Sequence, residues 1–235
     1  MRFRGFGFGE RAGGSETLEV WIIKEDSIEP PNIRWTDLLE AETEEARQSL
    51  AGDLLKQGIK ANVRTLIKIH KWLLSFCLTP EGSLNKGDGF TSQCLLIKIG
   101  FSDSRTGHLY LKSLVDSPLC RASDADAMEA MAFEKKQWDG LYILDILQGS
   151  GSQAVKLSCL YALQYKNIHA LFPALYRDIV LPLLKHEDSR ARVYAIDVVW
   201  TDPQAKVILE ELRLNEKEDS VIKAIDDALY MNSAM

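Results

Sequence analysis

The pattern that decides the fold first reads Ser152-Gln-Ala-Val-Lys-Leu-Ser-Cys-Leu-Tyr-Ala-Leu163. It returns 36 positions later as Asp188-Ser-Arg-Ala-Arg-Val-Tyr-Ala-Ile-Asp-Val-Val199, and 31 positions after that as Asp219-Ser-Val-Ile-Lys-Ala-Ile-Asp-Asp-Ala-Leu229. Each copy opens with a small polar residue that can cap a helix, and a basic residue and an Ala-rich apolar stripe follow. A unit of this length cannot bury its own apolar face, so the repetition predicts stacked helical hairpins.

Over about residues 150–235 the pattern resembles HEAT-like repeats, in which the first helix of each pair carries a basic residue. The corresponding positions here are Lys156, Arg192 and Lys223. The resemblance implies that these cations line a groove, and the alternative is that their stems pack on neighbouring helices with the charged heads in water. Asp226 and Asp227 occupy apolar positions of the third copy, which is either a polar terminal cap or not a true repeat.

Hydrophobic spacing and composition divide the whole chain into three predicted regions. Residues 121–235 are predicted to be all-helical and HEAT-like, and residues 15–120 are predicted to form an α+β region. Residues 1–14 contain five glycines and three phenylalanines without a helix or strand period, which predicts a flexible arm. The predicted fold is therefore mainly α, with an α+β amino-terminal region followed by a short HEAT-like helical stack.

Individual elements follow from hydrophobic spacing. The α+β region is predicted to contain a strand at 18–23, helices at 35–56 and 59–78, and a β-hairpin over 94–115. The hairpin is inferred from two apolar runs flanking Ser102-Asp-Ser-Arg-Thr-Gly107. Further helices are predicted at about 124–138, 140–148, 152–166, 169–185, 189–200, 203–214 and 219–231.

Charge is distributed unevenly along the 235 residues. The net charge of −6 argues against indiscriminate binding of nucleic acid. Residues 58–112, however, hold eight Lys or Arg and three Asp or Glu, which permits a local basic patch. The apolar runs are shorter than the roughly 20 residues of a membrane span, and the first residues do not read as a secretion signal. A cytoplasmic location is the default prediction.

Cysteines and histidines, which often form catalytic or metal sites, are few and far apart in the sequence. The four cysteines stand among apolar neighbours without a Cys-x-x-Cys pair, which predicts buried free thiols. The four histidines are far apart in sequence and are predicted to be surface or boundary residues rather than metal ligands. Trp138, Asp139 and Tyr142 suggest either a base-stacking pocket or, more simply, core packing at a helix junction. No catalytic or cofactor motif is recognisable, so we predict a protein without a catalytic site, cofactor or metal.

The predicted helix 59–78 carries the most distinctive candidate site. Lys60, Arg64, Lys68 and Lys71 fall within roughly 80° of one another on a helical wheel, opposite the apolar residues. Four cations on one exposed face suit phosphates or an acidic protein partner, while the alternative is a solvated outer face.

These observations favour an intracellular, non-enzymatic scaffold that binds a protein partner through its helical-repeat surface. The alternative is a nucleic-acid-binding or nucleocapsid/matrix-type structural protein that uses the basic helix face and the Arg/Phe/Gly arm. An enzyme whose site is assembled from distant residues is a third hypothesis.

Overall fold

A computed structural model describes residues 34–56, 62–77, 86–117, 123–149, 151–164 and 166–233. These residues form helices joined by short connections and contain no β-strand. The prediction of a mainly α protein is therefore confirmed. The predicted arm at 1–14 and the predicted strand at 18–23 lie outside the described residues.

Thirteen α-helical segments are numbered along the described residues, after a 3₁₀ turn at Trp35–Leu39. They are α1 (Glu44–Lys56), α2 (Val63–Cys77), α3 (Lys86–Phe101), α4 (Arg105–Val115), α5 (Asp124–Met131), α6 (Gly140–Gln148), α7 (Gln153–Leu163), α8 (Ile168–Leu171), α9 (Pro173–Leu175), α10 (Leu181–Leu183), α11 (Ser189–Val199), α12 (Ala205–Asn215) and α13 (Asp219–Ser233). A π-helical turn at Tyr176–Val180 joins α9 to α10.

The helices pack in two layers. In the first layer, each of α1, α3, α5, α7, α11 and α13 packs against the next. The second layer covers it: α2 packs on α3, α4 on α5, α6 on α7, α10 on α11 and α12 on α13. A single contiguous apolar core runs through both layers from Trp35 to Ala228. Alternating helices therefore stack as successive pairs, which is the packing that a repeated hairpin requires.

The repeated pattern falls on α7, α11 and α13. Ser152 caps α7, because its Oγ accepts a hydrogen bond from the Val155 amide at 3.3 Å, and the Asp188 carboxylate caps α11. The third copy differs, since Asp219 is already the first residue of its helix. The assignment of these helices to HEAT repeats stays a prediction.

The predicted β-hairpin over 94–115 is wrong, because this stretch forms the end of α3 and all of α4. Helix α3 contacts α1, α2, α4 and α5, so apolar side chains are buried around most of its circumference. An apolar run buried on several sides lacks the one-sided spacing that identifies a helix in sequence. The assumed hairpin turn is a helix start, since Ser104 Oγ accepts from the Gly107 amide at 3.1 Å.

Three predicted helices are shorter or interrupted. The helix predicted at 35–56 is broken before α1, where Thr43 Oγ1 accepts from the Ala46 amide at 3.1 Å and starts a new helix. The helix predicted at 124–138 ends at Met131. The helix predicted at 169–185 is divided into α8, α9, the π-helical turn and α10, with a proline in both α9 and α10. Proline has no N–H to donate within a helix, which favours such interruptions.

Candidate interaction surface

The cations of α2 lie opposite its buried face. Asn62 starts the helix, because its side-chain oxygen accepts from the Arg64 amide at 2.9 Å. Leu66, Ile69 and Leu73 are almost completely buried against the neighbouring helices. The hydrophobic effect therefore fixes the rotation of α2 about its axis and holds its charged side toward solvent.

Arg64, Lys68 and Lys71 are all exposed along α2. Among the described residues, none of them has a carboxylate within ion-pair distance, and Lys71 Nζ lies 5.5 Å from the centre of the Tyr110 ring. Lys60 lies outside the described residues. We call Arg64, Lys68 and Lys71 the α2 basic face. One side of a helix thus offers three cations to a partner at a spacing of one to two turns.

The three cations that the repeat resemblance brought together differ in their surroundings. Lys156 is half-buried on α7 and Lys223 is exposed on α13. Arg192 forms a bidentate ion pair with Glu216, with N–O distances of 2.9 and 3.1 Å. Its remaining nitrogen donates to the carbonyls of His186 and Glu187 at 2.8 and 3.1 Å. Arg192 therefore ties α11 to the connection between α12 and α13, and a binding role for these cations stays a prediction.

His70 is a core residue, so the prediction that the histidines are surface or boundary residues is wrong for His70. It is fully buried on α2, with Nδ1 2.7 Å from the Tyr110 hydroxyl and Nε2 2.7 Å from Ser92 Oγ. Burial lowers the pKa of His70 to about 3. The neutral imidazole therefore stabilises the fold at neutral pH, and this contribution is lost as the pH falls from about 6.5 toward 3. No local motif marks these partners, because they lie 22 and 40 residues away.

Buried carboxyl groups link neighbouring helices of the first layer by hydrogen bonds. Glu129 on α5 accepts hydrogen bonds of 3.3 Å from Gln93 Nε2 on α3 and from Ser158 Oγ on α7. Burial, together with nearby Asp126, raises the pKa of Glu129 to about 8. The protonated carboxyl group therefore fits this environment better than the carboxylate does.

Asp197, on α11, is a second buried carboxyl residue of the first layer, two helices beyond Glu129. The residue is 5% exposed, and its carboxyl group accepts a 3.2 Å hydrogen bond from Gln164 Nε2. Burial and nearby Asp227 raise the pKa of Asp197 to about 7. Glu129 and Asp197 therefore both accept hydrogen bonds from side chains that belong to neighbouring parts of the stack.

Replacing Glu129 with glutamine should flatten the dependence of stability on pH. A carboxyl group whose pKa is raised in the folded state binds its proton more tightly there, so stability falls as the pH rises through that window. Between pH 6 and pH 8 the wild-type protein should lose about 2 kcal/mol more than Glu129→Gln, at about 1.4 kcal/mol per pKa unit. Urea unfolding at both pH values measures this difference. The exposed control Glu211→Gln should follow the wild-type profile, and identical profiles for all three proteins would contradict the prediction.

Trp138 and Tyr142 lie at a helix junction, as expected for core packing. The Trp138 indole nitrogen donates to the Ala162 carbonyl at 3.2 Å, and the Tyr142 hydroxyl donates to Asp116 at 2.8 Å. Lys112 Nζ lies 3.8 Å from the centre of the Tyr142 ring and 3.4 Å from an Asp139 oxygen. These contacts join α6 and the connection that precedes it to the end of α4 and to α7.

A cleft of about 800 Å³ lies between α10 and α12. Leu181, Leu184, Ile208 and Leu212 supply its apolar surface. Its charged residues balance, because three are basic and three are acidic: Arg177, Lys185 and Arg192 against Glu187, Glu211 and Glu216. The cleft therefore has no net charge that would select an anionic or a cationic ligand.

The described residues offer little that resembles a reaction centre. They contain no group of three or more His, Cys, Asp or Glu side chains placed to hold a metal ion. The thiols of Cys94 and Cys159 are free and buried, which confirms that prediction for these two. Over the same residues, no helix is long and apolar enough to cross a bilayer.

Comparison with family models, curated proteins and solved structures found no match to this chain.

Proposed function

We propose that this chain is a cytoplasmic, non-enzymatic scaffold that recognises a protein partner through the surface of a HEAT-like helical stack. The observation that carries the proposal is the α2 basic face, whose three exposed cations form no ion pair among the described residues. An acidic protein surface complements such a face, and exposed charges of this kind act mainly on association rate and partner selection. The two-layer packing supports it, because stacked helices hold these cations on a continuous, rigid surface.

The α2 basic face also motivates a second candidate function, since unpaired cations at one-turn spacing suit nucleic-acid phosphates equally well. Binding to a phosphate backbone releases counterions and weakens steeply with salt, by a slope of about 0.7–0.9 per phosphate contact. Treatment of an extract with nuclease distinguishes the two partners, because only a protein partner survives it.

Reversing the charge of the α2 basic face should abolish partner capture. Arg64→Glu, Lys68→Glu and Lys71→Glu together change the charge by −6 and leave the buried face of α2 intact, so the fold should survive. The matched control reverses three exposed lysines elsewhere: Lys185, Lys206 and Lys217. We expect affinity capture from nuclease-treated extract to recover a protein with the wild type and the control, and at least tenfold less of it with the α2 variant.

Two results would count against the proposal. Equal capture by all three proteins would show that the partner binds elsewhere. Loss of the partner from the wild-type sample on nuclease treatment, together with no nucleic acid captured by the α2 variant, would instead favour nucleic-acid binding by the same face.

A further inference from the structure

Three connections between the two layers lie against one another at one edge of the stack. The carboxylate of Asp103, in the connection after α3, accepts hydrogen bonds of 3.0–3.1 Å from the amides of residues 135–137. Those residues belong to the connection after α5. In the connection after α7, Lys166 Nζ donates to the Glu134 carbonyl at 3.1 Å. The loops are therefore fixed to one another by hydrogen bonds that span more than 30 residues of sequence.

An aromatic pair stands on this edge. The rings of Phe101 and Phe133 have centroids 4.5 Å apart and an interplanar angle of 31°. Phe101 is 51% exposed, although it is a large apolar side chain. Gly100 allows the two residues to meet, because the absence of a Cβ lets α3 approach the Ala130 backbone. The pair presents an aromatic surface to solvent on a rigid support.

Three cations follow the two phenylalanines within four residues of sequence, and the two acids beside them are held by hydrogen bonds. Arg105, Lys135 and Lys136 are exposed and form no ion pair among the described residues. The Asp103 carboxylate is engaged by backbone amides, and Glu134 is buried at 1% exposure with an oxygen 2.9 Å from His108 Nδ1. We call Phe101, Phe133, Arg105, Lys135 and Lys136 together the aromatic–basic edge. Its three exposed cations outnumber the Asp103 carboxylate beside them, in contrast to the net negative charge of the whole chain.

We propose that the aromatic–basic edge binds single-stranded nucleic acid, with a base stacked on the exposed ring of Phe101 and adjacent phosphates held by the three cations. Aromatic platforms flanked by cations suit single strands, because each unpaired base offers a face for stacking and the backbone supplies the charge. Bases stacked within a duplex do not expose that face. This inference goes beyond the proposed function, because it assigns a different ligand to a different surface from the α2 basic face.

Fluorescence anisotropy with a fluorescein-labelled 12-nucleotide oligouridine tests the inference. We expect wild-type protein to bind it, and Phe101→Ala to weaken binding at least about fivefold, because the alanine variant loses the base–aromatic stack. The double variant Lys135→Glu and Lys136→Glu should also flatten the salt dependence, by about 0.7 in slope for each phosphate that is no longer neutralised. The same labelled oligouridine annealed to oligoadenosine as a duplex should bind more weakly than the single strand.

Two controls separate this site from general effects. Leu141→Ala removes an equally exposed apolar side chain, 56% exposed, from α6 and should leave binding unchanged. The α2 charge-reversal variant should also bind normally, so failure of one proposal does not decide the other. Because Phe101 is half-exposed, its alanine variant should melt like the wild type.

Absence of oligouridine binding at low salt, unchanged binding by both edge variants, or equal affinity for the duplex would overturn the proposal. So would edge-dependent binding of an acidic, phenylalanine-containing peptide without any binding of oligouridine.

Discussion

Gly100→Ala should lower the free energy of unfolding by about 3 kcal/mol, although it adds a single methyl group. A Cβ at position 100 would lie 2.1 Å from the Ala130 carbonyl oxygen and 2.9 Å from its carbonyl carbon. Both atoms belong to the backbone of α5, so no side-chain rotation relieves the contact. Helices α3 and α5 must move apart, which loosens the first layer near its centre.

Gly89→Ala is the matched control for this prediction, since it makes the same change in the same helix. No atom lies within 4 Å of a Cβ built at Gly89. Alanine should therefore stabilise α3 there by about 0.5–1 kcal/mol, because glycine loses more backbone entropy on folding. Urea unfolding of both variants measures the contrast. Equal stabilities would show that α3 and α5 do not approach each other this closely.

Ala195→Asp should be the most destabilising substitution in the repeated pattern, at about 4 kcal/mol. Ala195 is completely buried on α11, which packs between α7 and α13. An added carboxylate would be removed from water at a completely buried position among apolar side chains, which is costly for a charged group. At roughly 2–4 °C per kcal/mol for a chain of this size, the melting temperature should fall by about 10 °C.

Ala154→Asp provides the comparison, because Ala154 is exposed in the first turn of α7. A negative charge near a helix N-terminus is favourable, so this variant should melt within a few degrees of the wild type. A normal melting temperature for Ala195→Asp would remove the case that α11 lies at the centre of a packed stack.

The α2 basic face could be predicted from the sequence because it depends on a single helix. The spacing of Arg64, Lys68 and Lys71 places them on one side of α2, and the structure finds all three exposed. The aromatic–basic edge was not predictable in this way. Phe101 and Phe133 lie 32 positions apart, the first in a stretch predicted as a strand and the second in a stretch predicted as a helix. Their proximity depends on the approach of α3 to α5 at Gly100.

The error over residues 94–115 has a physical origin in the burial of α3. Residues 94–115 were predicted as strands because α3 is buried on several sides and therefore lacks a single apolar stripe. In contrast, the helices of the repeated pattern were recognisable from their caps and from the small residues at their contacts. Ser152 and Asp188 both accept hydrogen bonds from the first turns of their helices.

The mainly helical character of this protein, the starts of its repeated helices and the charged side of α2 all follow from local sequence. These properties depend on residues within one or two helical turns of each other, so local spacing and capping residues record them. The burial of neutral His70 and the bridging of three helices by Glu129 depend instead on how the helices pack. Burial of a polar side chain depends on partners supplied by other helices, and stacking brings those partners together from 22 to 40 residues away.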